Sequence, residues 1–221
     1  MAEAYPDFLK KYLSEKDIDI LKKRDGLHNL EYNGLSLIRI SQDYKRFLRG
    51  TVFYEQGVIK SYPKTMRIFH LENGIKRYIK DRFYIEEKVD GYNVRIALIN
   101  NTPLAFTRGG FICPFTTDRI ADLIDLNFFN RYPDYTICGE VVGPGSPYNT
   151  ESIPYIKDDV RLFVFDVINE KGIFLSTEDK YKILEAFDIE QVRHWGDFTE
   201  KDIEKIKGII LELDRNNREG I

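Results

Sequence analysis

Two apolar strand patterns meet at Lys88-Val89-Asp90-Gly91, and that junction constrains the chain more than any other stretch. Phe83-Tyr84-Ile85 runs into Glu86-Glu87-Lys88, and Tyr92 to Ile99 follows with Val94, Ile96 and Leu98 at alternate positions. That period of two belongs to a strand with one face buried. An Asp-Gly pair between such runs is a turn signal, so the lysine stands at the end of a strand, on a fixed platform. A lysine amine, unlike a guanidinium, can shed its proton and act as a nucleophile. A solvated lysine beside a hairpin turn is the plain alternative for the hexapeptide by itself, and its context has to decide.

The flanking regions predict an α+β fold, mostly antiparallel sheets flanked by helices. Asp7 to Arg24 reads as a helix ending at Asp25-Gly26. Between Leu35 and Ile85 short apolar runs alternate with turn signals, among them Asn33-Gly34 just ahead, Gln56-Gly57 and Asn73-Gly74. Thr116 offers an N-cap for a helix carrying Ile120, Leu123, Ile124 and Phe128. Tyr135 to Val142 and Val160 to Ile168 read as strands. Ser176-Thr177-Glu178-Asp179 and Thr199-Glu200-Lys201-Asp202 open two further helices, the second with Ile203, Ile206, Ile210 and Leu213 in one stripe. No repeat or flexible linker divides the chain. The pattern predicts a catalytic domain over 83–221 behind an N-terminal extension, 1–82.

At 221 residues and 43% apolar content the chain can bury one sizeable core or two small ones. No run approaches the roughly 18 apolar residues of a membrane span, and Met-Ala-Glu-Ala-Tyr-Pro lacks a signal-peptide layout. No membrane partner and a cytoplasmic location are therefore expected. Cys113 and Cys138 are far apart, which predicts two buried thiols and neither a zinc site nor a disulfide. The net charge of −3 argues against indiscriminate coating of nucleic acid, yet residues 39–82 hold eleven cations against four anions. Phe47, Phe53, Tyr54, Tyr62, Phe69 and Tyr78 are interleaved with them, as a phosphate-backbone surface with stacking rings requires. The alternative is that these rings are core and the cations a solvated face.

Downstream of the lysine come Thr107-Arg108-Gly109-Gly110, Cys138-Gly139-Glu140-Val141-Val142-Gly143-Pro144, Leu162-Phe163-Val164-Phe165-Asp166-Val167 and Arg218-Glu219-Gly220-Ile221. In that order, behind Lys88-Val89-Asp90-Gly91, they resemble the covalent nucleotidyltransferases: ATP-dependent DNA and RNA ligases and mRNA capping enzymes. The wording Lys-Val-Asp-Gly-Tyr-Asn-Val-Arg and Gly-Glu-Val-Val-Gly-Pro is most similar to archaeal ATP-dependent, RNA-circularising ligases.

The resemblance implies a ligase-type adenylation domain and an ATP-dependent RNA ligase. Lys88 would take AMP from ATP, pass it to an RNA 5′-phosphate, and a 3′-hydroxyl would displace it. Magnesium or manganese is implied as cofactor. Asp90 and Gly91 would support the nucleophile. Glu86, Glu87, Asn93, Arg95, Arg108, Glu140 and Phe165 would bind the nucleotide, with Glu140 and Glu219 serving the metal. Arg95 is two residues beyond Asn93 on the same face, placed to reinforce its contact or to sit solvated. Arg108 has a glycine loop that lets forked donors reach a phosphate, Glu140 needs a partner on an interior strand, and Phe165 is the ring for the base. Ordinary core packing is the rival reading for Phe163 and Phe165. The implied partners are RNA with 5′-phosphate and 3′-hydroxyl ends, single-stranded DNA 5′ ends as a second class, and a homodimer through a C-terminal region. The sequence reaches Ile221 inside the Glu-Gly motif, so the family's following lysines are expected to be missing, as in a truncated ligase. A DNA ligase, a capping-type enzyme, or a noncatalytic nucleotide- or RNA-binding fragment are the alternatives.

Overall fold

A computed structural model describes residues 5–148 and 156–221. The N-terminal Met-Ala-Glu-Ala of the signal-peptide reading lies outside the described residues. The described residues build three antiparallel sheets. β1 (Leu27–Tyr32), β2 (Leu35–Ile40), β3 (Val52–Phe53) and β4 (Val58–Ile59) form the first, in that order. Asn33 and Gly34 both have positive φ, 47° and 80°, which is the twist-matched turn for a two-residue hairpin. Helix α1 (Glu15–Lys23) packs on this sheet through Ile18 and Leu21 against Ile38, Ile40 and Phe53. The single helix expected from Asp7 is broken: a 3-10 turn covers Asp7–Lys11, and α1 starts only where the Ser14 side chain accepts from the Asp17 amide at 3.2 Å. The hydroxyl cap competes with helix continuation.

The central sheet holds β6 (Tyr92–Ile99), β7 (Thr102–Thr107), β8 (Thr136–Val142) and β9 (Arg161–Ile168) in the order β7-β6-β8-β9. Alternation divides its faces. Val94, Ile96, Ile137, Val141, Leu162 and Val164 point to one side and meet Ile120, Phe128 and Leu184. Those residues belong to α4 (Ile120–Leu123), α5 (Asn127–Arg131) and α6 (Thr177–Ala186), with α3 (Pro114–Asp118) ahead of them. On the reverse face Ala97, Ile99, Leu104 and Phe106 are covered by Leu37, Val52 and Ile59 of the first sheet. The first sheet therefore caps only part of that face. Asn93, Glu140 and Phe163 share its remainder, because Asn93 is the register partner of Glu140 and Glu140 that of Phe163.

β5 (Phe83–Glu86) pairs with β10 (His194–Phe198), and Ile85 packs with Ile75 of α2 (Leu71–Tyr78) and Ile206 of α7 (Ile203–Arg215). Residues of the expected extension thus join elements from the far end of the chain. Two expected boundaries move. Asn73-Gly74 is inside α2, where Gly74 lets Ile68 lie against the helix. Thr116 sits within α3, not at its cap: Pro114 opens that helix, and Thr116 bonds Tyr92 and Cys113 instead. Extended backbone at Ile124 separates α4 from α5, so one expected helix becomes three short ones. Both cysteines are buried free thiols. No helix among the described residues is long and apolar enough to cross a membrane.

The basic, aromatic tract also divides. Phe53 is fully buried with Phe47 edge-on at 4.9 Å, whereas Phe69 is 85% exposed beside the exposed Lys64 and Arg67.

Candidate active site

Strand β5 leads directly to Lys88, whose amide donates to the Gly220 carbonyl at 2.9 Å. This bridge lays Arg218–Gly220 against the segment that carries Lys88. The Lys88 ammonium pairs with the Glu219 carboxylate, and Arg218 Nη1 donates to both oxygens of Glu87 at 2.8 and 2.6 Å. Glu87 is buried and Lys88 exposed. Gly91 then passes so close to β8 that a Cβ would stand 2.3 Å from the Val141 carbonyl oxygen. Glycine is needed there for the approach itself, and its amide donates to Glu140.

Glu140 has an unusual environment. Burial pushes its carboxyl up to about 7, Lys88 and the Gly91 amide pull it back, and Glu219 and Asp90 add to the rise. The same influences show that Lys88, Asp90, Glu140 and Glu219 gather at one place. Across the strand pair, the Oδ1 of Asn93 is buried without a hydrogen-bond partner. A buried polar atom without a partner calls for an explanation, and a ligand bound here would supply one. An apolar wall of Val89, Val142 and Val192 adjoins it, with Phe163 and Phe165 packed against them. Phe165 is the extra residue of a β-bulge, since Cys138 pairs with Asp166 and Gly139 with Val164. Bulges re-aim side chains beside active sites. The Tyr62 ring meets Phe165 edge-on at 5.0 Å, and its hydroxyl donates to Asp166.

Three of the expected nucleotide contacts are engaged by other groups of the protein. Glu87 is occupied by Arg218, and Glu86 Oε1 accepts from Lys180 and Tyr181, each at 2.5 Å. Arg95 is a correction: it is neither solvated nor at the nucleotide site. Its guanidinium is fully buried and donates to the carbonyls of Lys60, Gly50 and Thr107 at 2.6, 3.0 and 2.8 Å. Alternation gives its face correctly, but two residues further along β6 that face lies beneath the first sheet. Arg108 is exposed on its glycine loop, 3.5 Å from the Pro63 carbonyl. Lys180 and Tyr62 are the neighbours that motif reading missed. Lys180 had a signal: it sits one helical turn before Leu184, on the buried stripe of α6.

Asp90, Glu140 and Glu219 are the hard oxygen donors that divalent cations prefer. Among the described residues no group of three or more His, Cys, Asp or Glu side chains is arranged to hold an ion.

Glu140 gives a pH-dependent stability in the nucleotide-free, metal-free protein. Its ordinary value is 4.5 and its folded value about 7. Below 4.5 it is protonated folded or unfolded; as pH rises toward 7 only the unfolded chain ionises, and native stability falls. Glu140→Gln is expected to outmelt wild type by up to ~3 kcal/mol at pH 8 and by little at pH 4.5. Equal melting differences at both pH values would count against this burial.

A family model described as RNA ligase matches residues 81–221. The chain belongs to the RNA ligase family. Two forms of a solved archaeal ATP-dependent RNA ligase superimpose on this RNA ligase family member with TM-score 0.90 at 30% identity, covering 98% of it and 60% of their own length. A structure from Aquifex aeolicus, provisionally assigned as an ATP-dependent DNA ligase, superimposes with TM-score 0.89 at 42% identity, over 93% of this chain and 57% of its own. An uncharacterized protein of Methanocaldococcus jannaschii is 31% identical over 218 residues, which is 95% of this RNA ligase family chain and 55% of that protein. The α+β nucleotidyltransferase architecture expected from the motifs is the one the archaeal ligase has. The chain spans between half and two thirds of the length of these relatives.

Proposed function

We propose that this chain carries out the nucleotide-activating step of an ATP-dependent RNA ligase, with Lys88 as its nucleophile. The observation that supports it is the convergence of Lys88, Asp90, Glu140 and Glu219 beside an orphaned, buried Asn93 carbonyl. Lys88 must leave Glu219 and give up a proton before its nitrogen can attack the α-phosphorus of ATP. A P–N bond forms, the bond to the β-phosphate oxygen breaks, and pyrophosphate departs with that electron pair. The AMP would then pass to an RNA 5′-phosphate, and a 3′-hydroxyl would expel it to join the ends.

Asn93 donors and acceptors fit ribose or phosphate, Glu140 fits ribose hydroxyls or a cation, and Phe165 offers a ring to the base. Glu140 and Glu219 are the residues that would lend protein oxygens to Mg2+ or Mn2+, with phosphates and water supplying most of its shell. Such an ion would neutralise charge on the phosphoryl oxygens and the leaving pyrophosphate. Arg108, on its exposed loop, is the donor for an incoming phosphate.

The test is to incubate the protein with α-labelled ATP and magnesium, denature it, and look for label that acid releases and that peptide mapping assigns to Lys88. Label absent, or mapped elsewhere, rejects the reading. A DNA-joining reading draws on the 42% identical Aquifex structure; the RNA ligase family match weighs for RNA. Offering adenylylated RNA and DNA ends to the same protein separates the two.

A further inference from the structure

Lys180 is 2% exposed, yet carries an ammonium. Its Nζ donates to Glu86 Oε1 at 2.5 Å and to the Phe165 carbonyl at 2.6 Å. A buried ion pair is weak as a source of stability, and apolar side chains of similar volume commonly serve as well. What an ammonium provides that a leucine does not is a fixed geometry between its partners. Those partners belong to the two strands that matter here. Glu86 ends β5, two residues before Lys88, and Phe165 is the bulged residue of β9. The bulge leaves Phe165 opposite no residue of β8, and Lys180 donates to the carbonyl of that unpaired residue.

Glu86 is itself held still. The Tyr181 hydroxyl donates to the same oxygen at 2.5 Å, and the Tyr181 ring stacks at 4.0 Å on His194, the register partner of Glu86 in β10. Helix α6 is capped at its start by Ser176, which accepts from the Asp179 amide at 3.1 Å, and is held on the central core by the buried Leu184. The lysine therefore bridges from an anchored helix to an anchored strand.

We propose that Lys180, with Glu86, is a positioning residue that sets the Phe165 ring relative to Lys88 and so governs nucleobase binding and selectivity without touching the nucleotide. This rests on the reading of Lys88 and Phe165 as a nucleotide site. A side chain acting in this way affects base recognition more than the bond-making step, whereas simple structural support affects neither selectively.

The experiment measures adduct formation against concentration of ATP and of GTP, with melting temperature alongside, for wild type, Lys180→Met, Lys180→Arg and Glu86→Gln. Lys180→Met should raise half-saturating ATP by roughly tenfold or more, leave the saturated rate much closer to wild type, and shrink the ATP-to-GTP preference. Lys180→Arg, which can still reach both acceptors, should restore part of the preference. Should Lys180→Met fail to fold, Glu86→Gln carries the test, since it keeps the shape and loses the charge. Lowered melting temperature with unchanged half-saturation and base preference overturns the proposal. If wild type forms no adduct, the nucleophile reading fails separately, and calorimetric binding of ATP and GTP then judges Lys180 by the same shift. Absence of ATP binding by wild type overturns both.

Discussion

Lys88→Arg should reduce covalent nucleotide capture by roughly 10⁴-fold or more, the scale on which removing a nucleophile acts, while the protein melts close to wild type. The variant is sharper than alanine because it keeps a cation opposite Glu219 and thus preserves the ion pair. It removes only the ability to present a free amine, since a guanidinium stays charged. The Lys88 side chain is 53% exposed, so the exchange buries nothing and creates no cavity. Its backbone bond to Gly220 is indifferent to the side chain. The measurement is retained label on a denaturing gel, with a melting curve on the same sample. Adduct formation near the wild-type rate would remove Lys88 from the chemistry and leave its ion pair with Glu219 as surface structure.

Arg95→Met is expected to destabilise the fold by ~3 kcal/mol, a fall in melting temperature of roughly 6–12 °C for a chain of this size. Two carbonyls, those of Gly50 and Lys60, lose the donor they have, while that of Thr107 keeps the Gly110 amide, and each orphaned acceptor costs about 1–3 kcal/mol. Opposing this, methionine removes a buried charge whose hydrogen bonds go to carbonyls rather than to a carboxylate, so the sum of the two losses overstates the net effect. Burial lowers the guanidinium only to about 10, so it remains charged at neutral pH and the loss is of real ionic hydrogen bonds. The milder exchange Arg95→Lys would leave a single point of donation where a fork serves three acceptors. Equilibrium unfolding of Arg95→Met decides it: a midpoint equal to wild type would mean that water replaces the guanidinium and that Arg95 is dispensable to the fold.

These two residues also show how far the sequence could be read. Strands β6, β8 and β9 were legible because period-two burial is a local property, and Asn93, Glu140 and Phe163 lie on the sheet face that alternation assigns. The motif order placed Lys88 next to Glu140 and Glu219, separated by 131 positions from the last of these, which no local pattern could have done. Arg95 shows where alternation stops being informative. It tells which face a side chain leaves from, and the part of that face covered by another sheet is a tertiary fact. Lys180 escaped for a related reason: a lysine on the buried stripe of α6 signals an internal partner, but only packing reveals that the partners are Glu86 and the bulge at Phe165. The helix after Cys113 fragmented because Pro114 and the extended backbone at Ile124 outweigh an apolar spacing that suits one long helix.

The antiparallel bridge between Lys88 and Gly220 limits what motion can accompany reaction. With its amide bonded to the Gly220 carbonyl, the proposed nucleophile is tethered at its backbone. Reach toward a phosphorus must come from rotation about the methylenes of its own side chain, an event of picoseconds to nanoseconds at an exposed position. Under the proposed reading, the approach of the amine is then a matter of rotamers that begin with release from Glu219.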